Sequence, residues 1–191
     1  MKKLLHYTVA LLFGLTLATT ANAAGDEPAE GQIAPDFSIT RFDGSEFRLS
    51  DFRGKKAVYL VFWNTWCTYC MKKIPKLLDA QQNLKQEIEI IAVNTTLKDS
   101  LDKSIAFQKQ YAITYPLAFD YGKKVTVLYG VWGTPTEFII DVNGIIQHRD
   151  GVPQNLRAHL ADWNRLIEAS NLATTDDAAE ITDCEKDTQI C

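Results

Sequence analysis

The sequence has no excess of basic residues, few cysteines and no long uninterrupted apolar run, and each shortage excludes a class of protein. Its 191 residues include 20 Lys and Arg against 24 Asp and Glu, and the net charge of −4 argues against a basic nucleic-acid-binding surface. Four cysteines are too few for a disulfide-dense mini-scaffold of this length. With 46% hydrophobic and 23% charged residues, the chain has enough apolar material for a folded core.

Residues 1–23 have the features of a secretory signal peptide. Two lysines follow the first methionine, a mostly apolar stretch covers 4–18, and the small residues Ala21 and Ala23 fit the A-x-A rule for signal peptidase. The uninterrupted apolar part is shorter than the roughly 20 residues that a membrane-spanning helix needs. We therefore predict cleavage after Ala23 rather than an uncleaved anchor, and a periplasmic or otherwise extracytoplasmic location, where disulfides persist.

Composition divides the rest of the chain into a polar leader at 24–30, one domain at 31–170 and an acidic tail at 171–191. The tail contains two cysteines, Cys184 and Cys191. They could form a loop disulfide, relay electrons to another cysteine pair, pair between chains or bind a soft metal. We expect a Cys184–Cys191 disulfide without a catalytic role.

Strand and helix signals alternate through the predicted domain. A continuous apolar run at 57–63 predicts a strand buried on both faces, and a helix follows from Cys67 to about Lys85 with a kink at Pro75. The other predicted elements are strands at 36–39, 46–49 and 87–93, a helix at 100–111, an extended piece at 116–119, a short helix at 124–129, a hairpin at 136–148, and an amphipathic helix with Leu156, Leu160, Trp163 and Ile167 on one face. This alternation predicts an α/β fold with a partly parallel sheet.

Two cysteines three residues apart, Cys67 and Cys70, stand where the buried strand is followed by the helix. The unpaired N–H groups and the positive end of a helix favour the thiolate form of a cysteine at its start. A thiolate is the attacking species in thiol–disulfide exchange, and a second thiol can then resolve the mixed disulfide. Position therefore predicts Cys67 as the nucleophile and Cys70 as the resolving cysteine, joined by a redox-active disulfide in the oxidised form.

The same cysteine pair could instead be half of a zinc site or a static structural disulfide. Zinc would need a second pair of ligands at similar spacing, but the other two cysteines lie far away in the tail. His148 and His159 both fall within patterned elements rather than near the pair. We therefore predict no bound metal and no cofactor.

Several motifs resemble those of the thioredoxin superfamily. The sequence FWNTWCTYC at 62–70 resembles the active-site strand and helix start of that superfamily. The APDF opening at 34–37, the stretch LSDFRGK at 49–55 and the segment at 94–115 resemble the TlpA/ResA branch of exported thiol-disulfide oxidoreductases. The resemblance spans about 31–169 and implies a thioredoxin-like fold, with a central mixed sheet flanked by helices, an N-terminal β-hairpin and a central insertion.

The resemblance also implies which residues contact the substrate. Pro135 would form a cis peptide bond beside the dithiol, and Thr134 would offer backbone groups to an extended substrate strand. Trp66 would shield the sulfurs. Thr68 and Tyr69 separate the two cysteines, and the identity of that pair tunes thiolate stability and the redox potential.

The acceptor for the proton of the resolving thiol departs from the family pattern. Thioredoxin proper has a buried acid at the place held here by Val61, and the TlpA/ResA branch often has a glutamate in the insertion. Asp99 is the candidate acceptor in this chain. Glu137 is either exposed at an edge or a buried acid near the site, and we predict exposure. Lys72 and Lys73 are predicted to form a solvated helix face.

By resemblance, the chain is expected to be a monomeric periplasmic thiol-disulfide oxidoreductase that exchanges disulfides with exported cysteine-containing proteins. The resemblance favours a reductant, in cytochrome c maturation or in general disulfide reduction, which receives electrons from a membrane thiol donor.

Two other functions remain as alternatives. Peroxiredoxin-type thiol peroxidases share the APDF opening but need the motif P-x-x-x-T/S-x-x-C. With Cys67 as the motif cysteine, Leu60 stands at the proline position and Asn64 at the Thr/Ser position, so the motif is missing. A non-enzymatic soft-metal carrier could use Cys67 and Cys70 as thiolate ligands. The copper chaperones with a thioredoxin fold, however, have C-x-x-x-C spacing and a distal histidine. This chain has neither that cysteine spacing nor an obvious histidine to complete such a site.

Overall fold

The computed structural model describes residues 27–151, 153 and 155–163. The predicted signal peptide and the tail with Cys184 and Cys191 lie outside the described residues. Residues 156–163 are helical, as predicted. The other elements are β1 (Ser38–Thr40), β2 (Glu46–Arg48), β3 (Ala57–Trp63), α1 (Thr68–Asn83), β4 (Ile88–Asn94), α2 (Leu101–Gln110), β5 (Leu117–Phe119), α3 (Lys124–Leu128), β6 (Thr136–Ile140) and β7 (Ile146–Arg149), with 3₁₀ turns at Leu49–Phe52 and Tyr121–Lys123.

Five strands form one mixed sheet in the order β5-β4-β3-β6-β7. β3 is parallel to β4, and β4 is parallel to β5, whereas β6 is antiparallel to both β3 and β7. The parallel pairs require crossover connections, which α1 and the segment containing α2 provide. β1 and β2 form a separate antiparallel hairpin. The predicted thioredoxin-like architecture, with its mixed sheet and N-terminal hairpin, is confirmed.

β3 lies at the centre of the sheet, and all seven of its residues are buried. Its side chains alternate between two hydrophobic clusters, since successive residues of a strand point to opposite faces. Tyr59, Val61 and Trp63 pack with residues of α1 and α2. Leu60 and Phe62 pack on the other face with residues of β2 and α3. The apolar run at 57–63 is therefore a strand buried on both faces, as predicted.

The helix after β3 begins directly behind Cys67, which is its N-cap residue, and Pro75 lies within it. This strand–helix junction places the cysteine pair at the carboxyl end of the central strand. Within the residues described above, no helix is both long enough and apolar enough to cross a membrane.

Candidate active site

The two cysteines at the start of α1 form a disulfide, with an S–S distance of 2.06 Å and a Cα–Cα distance of 5.2 Å. The sequence predicted Cys67 as the nucleophile and Cys70 as the resolving cysteine. In this oxidised form both side chains are almost covered, at 4% exposure for Cys67 and 7% for Cys70. Both sulfurs belong to the cluster that α1 forms with the sheet, so the disulfide is seated in the protein surface rather than projecting from it.

The electrostatic surroundings of the Cys67 sulfur come from the backbone. The amide N–H of Cys70 donates a hydrogen bond to Cys67 Sγ at 3.1 Å. Together with the positive end of α1, this donor stabilises a thiolate at Cys67 once the disulfide is reduced. The carbonyl oxygen of Thr134 lies 3.3 Å from the same sulfur and opposes negative charge there.

The residues predicted to contact substrate are distributed around this disulfide. The Thr134–Pro135 peptide bond is cis, as the resemblance implied, and it lies beside Cys67. Tyr69 is exposed, and the ammonium group of Lys72 lies over its ring, 5.1 Å from the centroid, in a cation–π contact. Thr68 is also exposed. The contacts of these residues with a substrate remain predictions.

A groove of about 310 Å³ opens beside the disulfide. Two of the residues that line it, Trp66 and Thr134, are sequence neighbours of Cys67 and Pro135. Trp66 is 51% exposed, and its indole N–H donates to the carbonyl oxygen of Leu97. Trp132 is 88% exposed on the same groove. The groove therefore presents apolar and aromatic surface next to the sulfurs.

A buried polar network holds the loop between β3 and α1 in place. Asn64 and Asn94 are fully buried and are hydrogen-bonded to each other through their side chains. Asn94 also donates to Asp99, whose carboxylate accepts from both the amide and the hydroxyl of Thr65, at 2.7 and 2.9 Å. Sequence reasoning missed both asparagines, because nothing in the local pattern distinguishes a buried asparagine from a turn residue.

Asp99, the predicted proton acceptor, is part of this network. Burial raises the pKa of its carboxyl, but the hydrogen bonds donated by Asn94, Thr65 and Ser100 outweigh that effect and lower the pKa below its ordinary value. A carboxylate with its oxygens occupied and a lowered pKa is suited to anchoring the loop. Its role as an acceptor remains a prediction.

We expect Asp99→Asn to lower the free energy of unfolding by about 1 kcal/mol at pH 7, because an amide accepts these hydrogen bonds less well than a carboxylate. The folded-state pKa of Asp99 is depressed, so its contribution is present above the ordinary aspartate value of about 3.9 and is lost as the pH falls through the folded pKa. Urea unfolding of both proteins at neutral and acidic pH measures this. An equal difference at both pH values would contradict the assignment.

The prediction that Glu137 is exposed is wrong. Glu137 is only 3% exposed, and it accepts a hydrogen bond from the hydroxyl of Tyr59 and pairs with Lys73, whose Nζ lies 2.6 Å from Glu137 Oε2. Burial and the neighbouring carboxylate together raise the pKa of Tyr59. The prediction that Lys73 belongs to a solvated helix face is also wrong, because its ammonium group forms an ion pair with Glu137. Lys72 is exposed, as predicted.

Comparisons with known proteins agree with this geometry. A model of the AhpC/TSA family matches residues 31–149. The thiol-disulfide oxidoreductase ResA of Bacillus thuringiensis subsp. konkukian is 39% identical over 123 residues, which cover 63% of this chain and 69% of that relative. The thioredoxin-like protein YneN of Bacillus subtilis is 38% identical over 119 residues, covering 62% and 69% respectively.

Among solved structures, the thiol:disulfide interchange protein DsbE of Chlorobium tepidum is 32% identical with a TM-score of 0.57, and the match covers 77% of this chain and 98% of that one. The mixed sheet, the disulfide at the start of α1 and these matches lead to the same conclusion. The chain belongs to the AhpC/TSA family of thioredoxin-like proteins and is similar within it to the ResA thiol-disulfide oxidoreductases.

Proposed function

We propose that this thiol-disulfide oxidoreductase reduces disulfides of exported proteins, in cytochrome c maturation or in general disulfide reduction. In each cycle the Cys67 thiolate attacks a substrate disulfide, and Cys70 then attacks the mixed disulfide and releases the reduced substrate. The observation that carries this proposal is the position of Cys67. Its sulfur lies at the N-terminus of α1, hydrogen-bonded to the amide of Cys70 and adjacent to Thr134.

The environment of Cys67 favours a reductant over an oxidant. A strongly oxidising dithiol requires a highly stabilised thiolate in the reduced form. Here the sulfur contacts one backbone amide and one backbone carbonyl oxygen, which act in opposite directions on a negative charge. The ammonium group of Lys72 contacts the Tyr69 ring instead of the Cys67 sulfur. Thiolate stabilisation is therefore moderate, and the disulfide form is not strongly disfavoured.

The groove beside the disulfide supports a protein substrate bound in an extended conformation. Thr134 lines this groove and forms the cis peptide bond with Pro135, which supports a role for its backbone in pairing with a substrate strand. Trp66 and Trp132 offer exposed aromatic surface to apolar side chains near the substrate cysteines. A segment with apolar residues around a cysteine pair fits this surface.

The cellular context is part of the same proposal. We propose that the chain is exported after cleavage behind Ala23, acts in the periplasm as a monomer, and is re-reduced by a membrane thiol donor. The peroxidase alternative is not favoured. Leu60 and Asn64, at the positions where peroxiredoxins have proline and a hydroxyl residue, are buried parts of the strand and of the loop network.

The reduction potential of the Cys67–Cys70 pair tests the direction of electron flow. We expect equilibration with glutathione or a dithiol buffer to give a value nearer ~−270 mV, typical of thioredoxin, than ~−120 mV, typical of a strong oxidant. The measurement uses the full chain with both tail cysteines replaced by serine, so that one couple is titrated. A value near the oxidant limit would contradict the reductant role.

A further inference from the structure

A buried carboxylate lies near the disulfide and has no part in the function proposed so far. Glu137 on β6 is almost fully covered and is contacted from two sides, by the Tyr59 hydroxyl from β3 and by the Lys73 ammonium from α1. The charge of Lys76, also on α1, acts on the same acid. Burying an ionisable group is costly unless it is paired, and Tyr59 and Lys73 supply that pairing here.

The strand register places this acid on the face of the sheet that α1 covers. Glu137 is directly opposite Val61 in the antiparallel pairing of β3 and β6, so the two side chains lie on the same face of the sheet. That face is covered by α1, on which Cys70 and Lys73 are separated by one helical turn.

A small cavity lies beside Cys70 on this face of the sheet. Val61, Cys70 and Lys73 all line a cavity of about 10 Å³ between the sheet and α1. This is roughly the volume that one water molecule requires. Lys73 lines this cavity and its ammonium group pairs with Glu137, so Lys73 links a water held there, next to Cys70, to the carboxylate.

We propose that Glu137 accepts the proton of the Cys70 thiol, through one water in this cavity, when Cys70 resolves the mixed disulfide. The inference rests on the proposed function. Cys70 S–H transfers its proton toward Glu137, and its sulfur forms a bond to Cys67 Sγ. The bond between Cys67 and the substrate sulfur breaks, and the substrate leaves as a thiolate with the electron pair. The enzyme dithiol is oxidised, the substrate disulfide is reduced, and Glu137 later returns the proton to solvent.

Glu137 fits this role better than Asp99. Asp99 is hydrogen-bonded into the loop before α1, to Thr65 and Asn94, and these contacts lower its pKa. Glu137 instead lies on the face of the sheet that α1 covers and pairs with Lys73, one helical turn from Cys70. In this arrangement Lys73 positions the carboxylate.

The two thiol steps can be observed separately with 5,5′-dithiobis(2-nitrobenzoate). The reduced full chain, with Cys184→Ser and Cys191→Ser, releases one thionitrobenzoate when Cys67 attacks and a second when Cys70 resolves the adduct. In Glu137→Gln we expect the first release within about twofold of the parent and the second slowed by at least about tenfold at pH 7. The difference should narrow as the pH rises, because hydroxide then deprotonates Cys70.

Control variants separate proton transfer from folding. Glu137→Gln/Lys73→Met removes both charges of the pair, so it leaves no uncompensated ammonium and should fold while keeping the slow second release. Glu89→Gln makes the same chemical change on β4, at the far end of the sheet from the dithiol, and should leave both releases unchanged. A parental second release in Glu137→Gln, or a selective slowing in Asp99→Asn instead, overturns the inference. If the parent itself releases no thionitrobenzoate, the proposed function fails, and the inference with it.

Discussion

Replacing Cys67 with serine is expected to lower disulfide reductase activity by at least about a thousandfold, because the substituted hydroxyl cannot supply the attacking thiolate. Cys70→Ser should also lose turnover, but for a different reason. Its Cys67 thiolate still attacks the substrate, and without the resolving sulfur the mixed disulfide persists. Insulin reduction with a dithiol donor measures the rates, and non-reducing electrophoresis of Cys70→Ser detects the covalent adduct.

The tail cysteines provide the matched control for this pair of variants. Cys184→Ser/Cys191→Ser makes the same chemical change at two cysteines but leaves the dithiol at the start of α1 intact, and it should retain the parental rate. Retained activity in Cys67→Ser would contradict the mechanism. Loss of activity in the tail variant would show that the second cysteine pair takes part in electron transfer.

Much of the fold follows from local pattern. The run at 57–63 is apolar and β-branched without interruption, which only a strand buried on both faces explains well, and β3 occupies those seven positions. Cys67 stands directly after the loop that follows this strand, and it is the N-cap of α1. Strand, loop and helix start are local features, so sequence alone could place the dithiol, and the roles of its two cysteines stay predictions.

The environment of the dithiol depends on long-range pairing that no local pattern encodes. Glu137 is buried because it pairs with Val61, which lies 76 residues earlier in the chain, and because the Lys73 side chain extends from α1 to its carboxylate. Asn64 and Asn94 likewise meet because β3 and β4 end side by side. A polar residue within or beside an apolar strand is usually exposed, and here tertiary contacts overrode that expectation.

Tyr129 is the side chain that links the N-terminal opening to the sheet. It is fully buried after α3, and its ring packs against Phe37, Phe62 and Phe138 at centroid distances of 5.6, 5.8 and 5.1 Å. Its hydroxyl donates to the carbonyl oxygen of Pro35 at 2.7 Å. Tyr129, which sequence reasoning did not single out, thus contributes to holding the APDF opening, together with backbone hydrogen bonds from Ala34 to Gly144 and from Leu49 to Phe37.

We expect Tyr129→Ala to lower the free energy of unfolding by about 3–5 kcal/mol, because it removes a buried ring and leaves a cavity among three aromatic residues. Tyr129→Phe keeps the ring and loses only the hydrogen bond to Pro35, so it should cost about 1 kcal/mol. Urea unfolding of the oxidised proteins compares the two. Equal losses in both variants would mean that the hydroxyl, rather than ring packing, fixes the opening segment to the sheet. Since small domains are stable by only about 5–15 kcal/mol, the alanine variant should lose a large part of its stability.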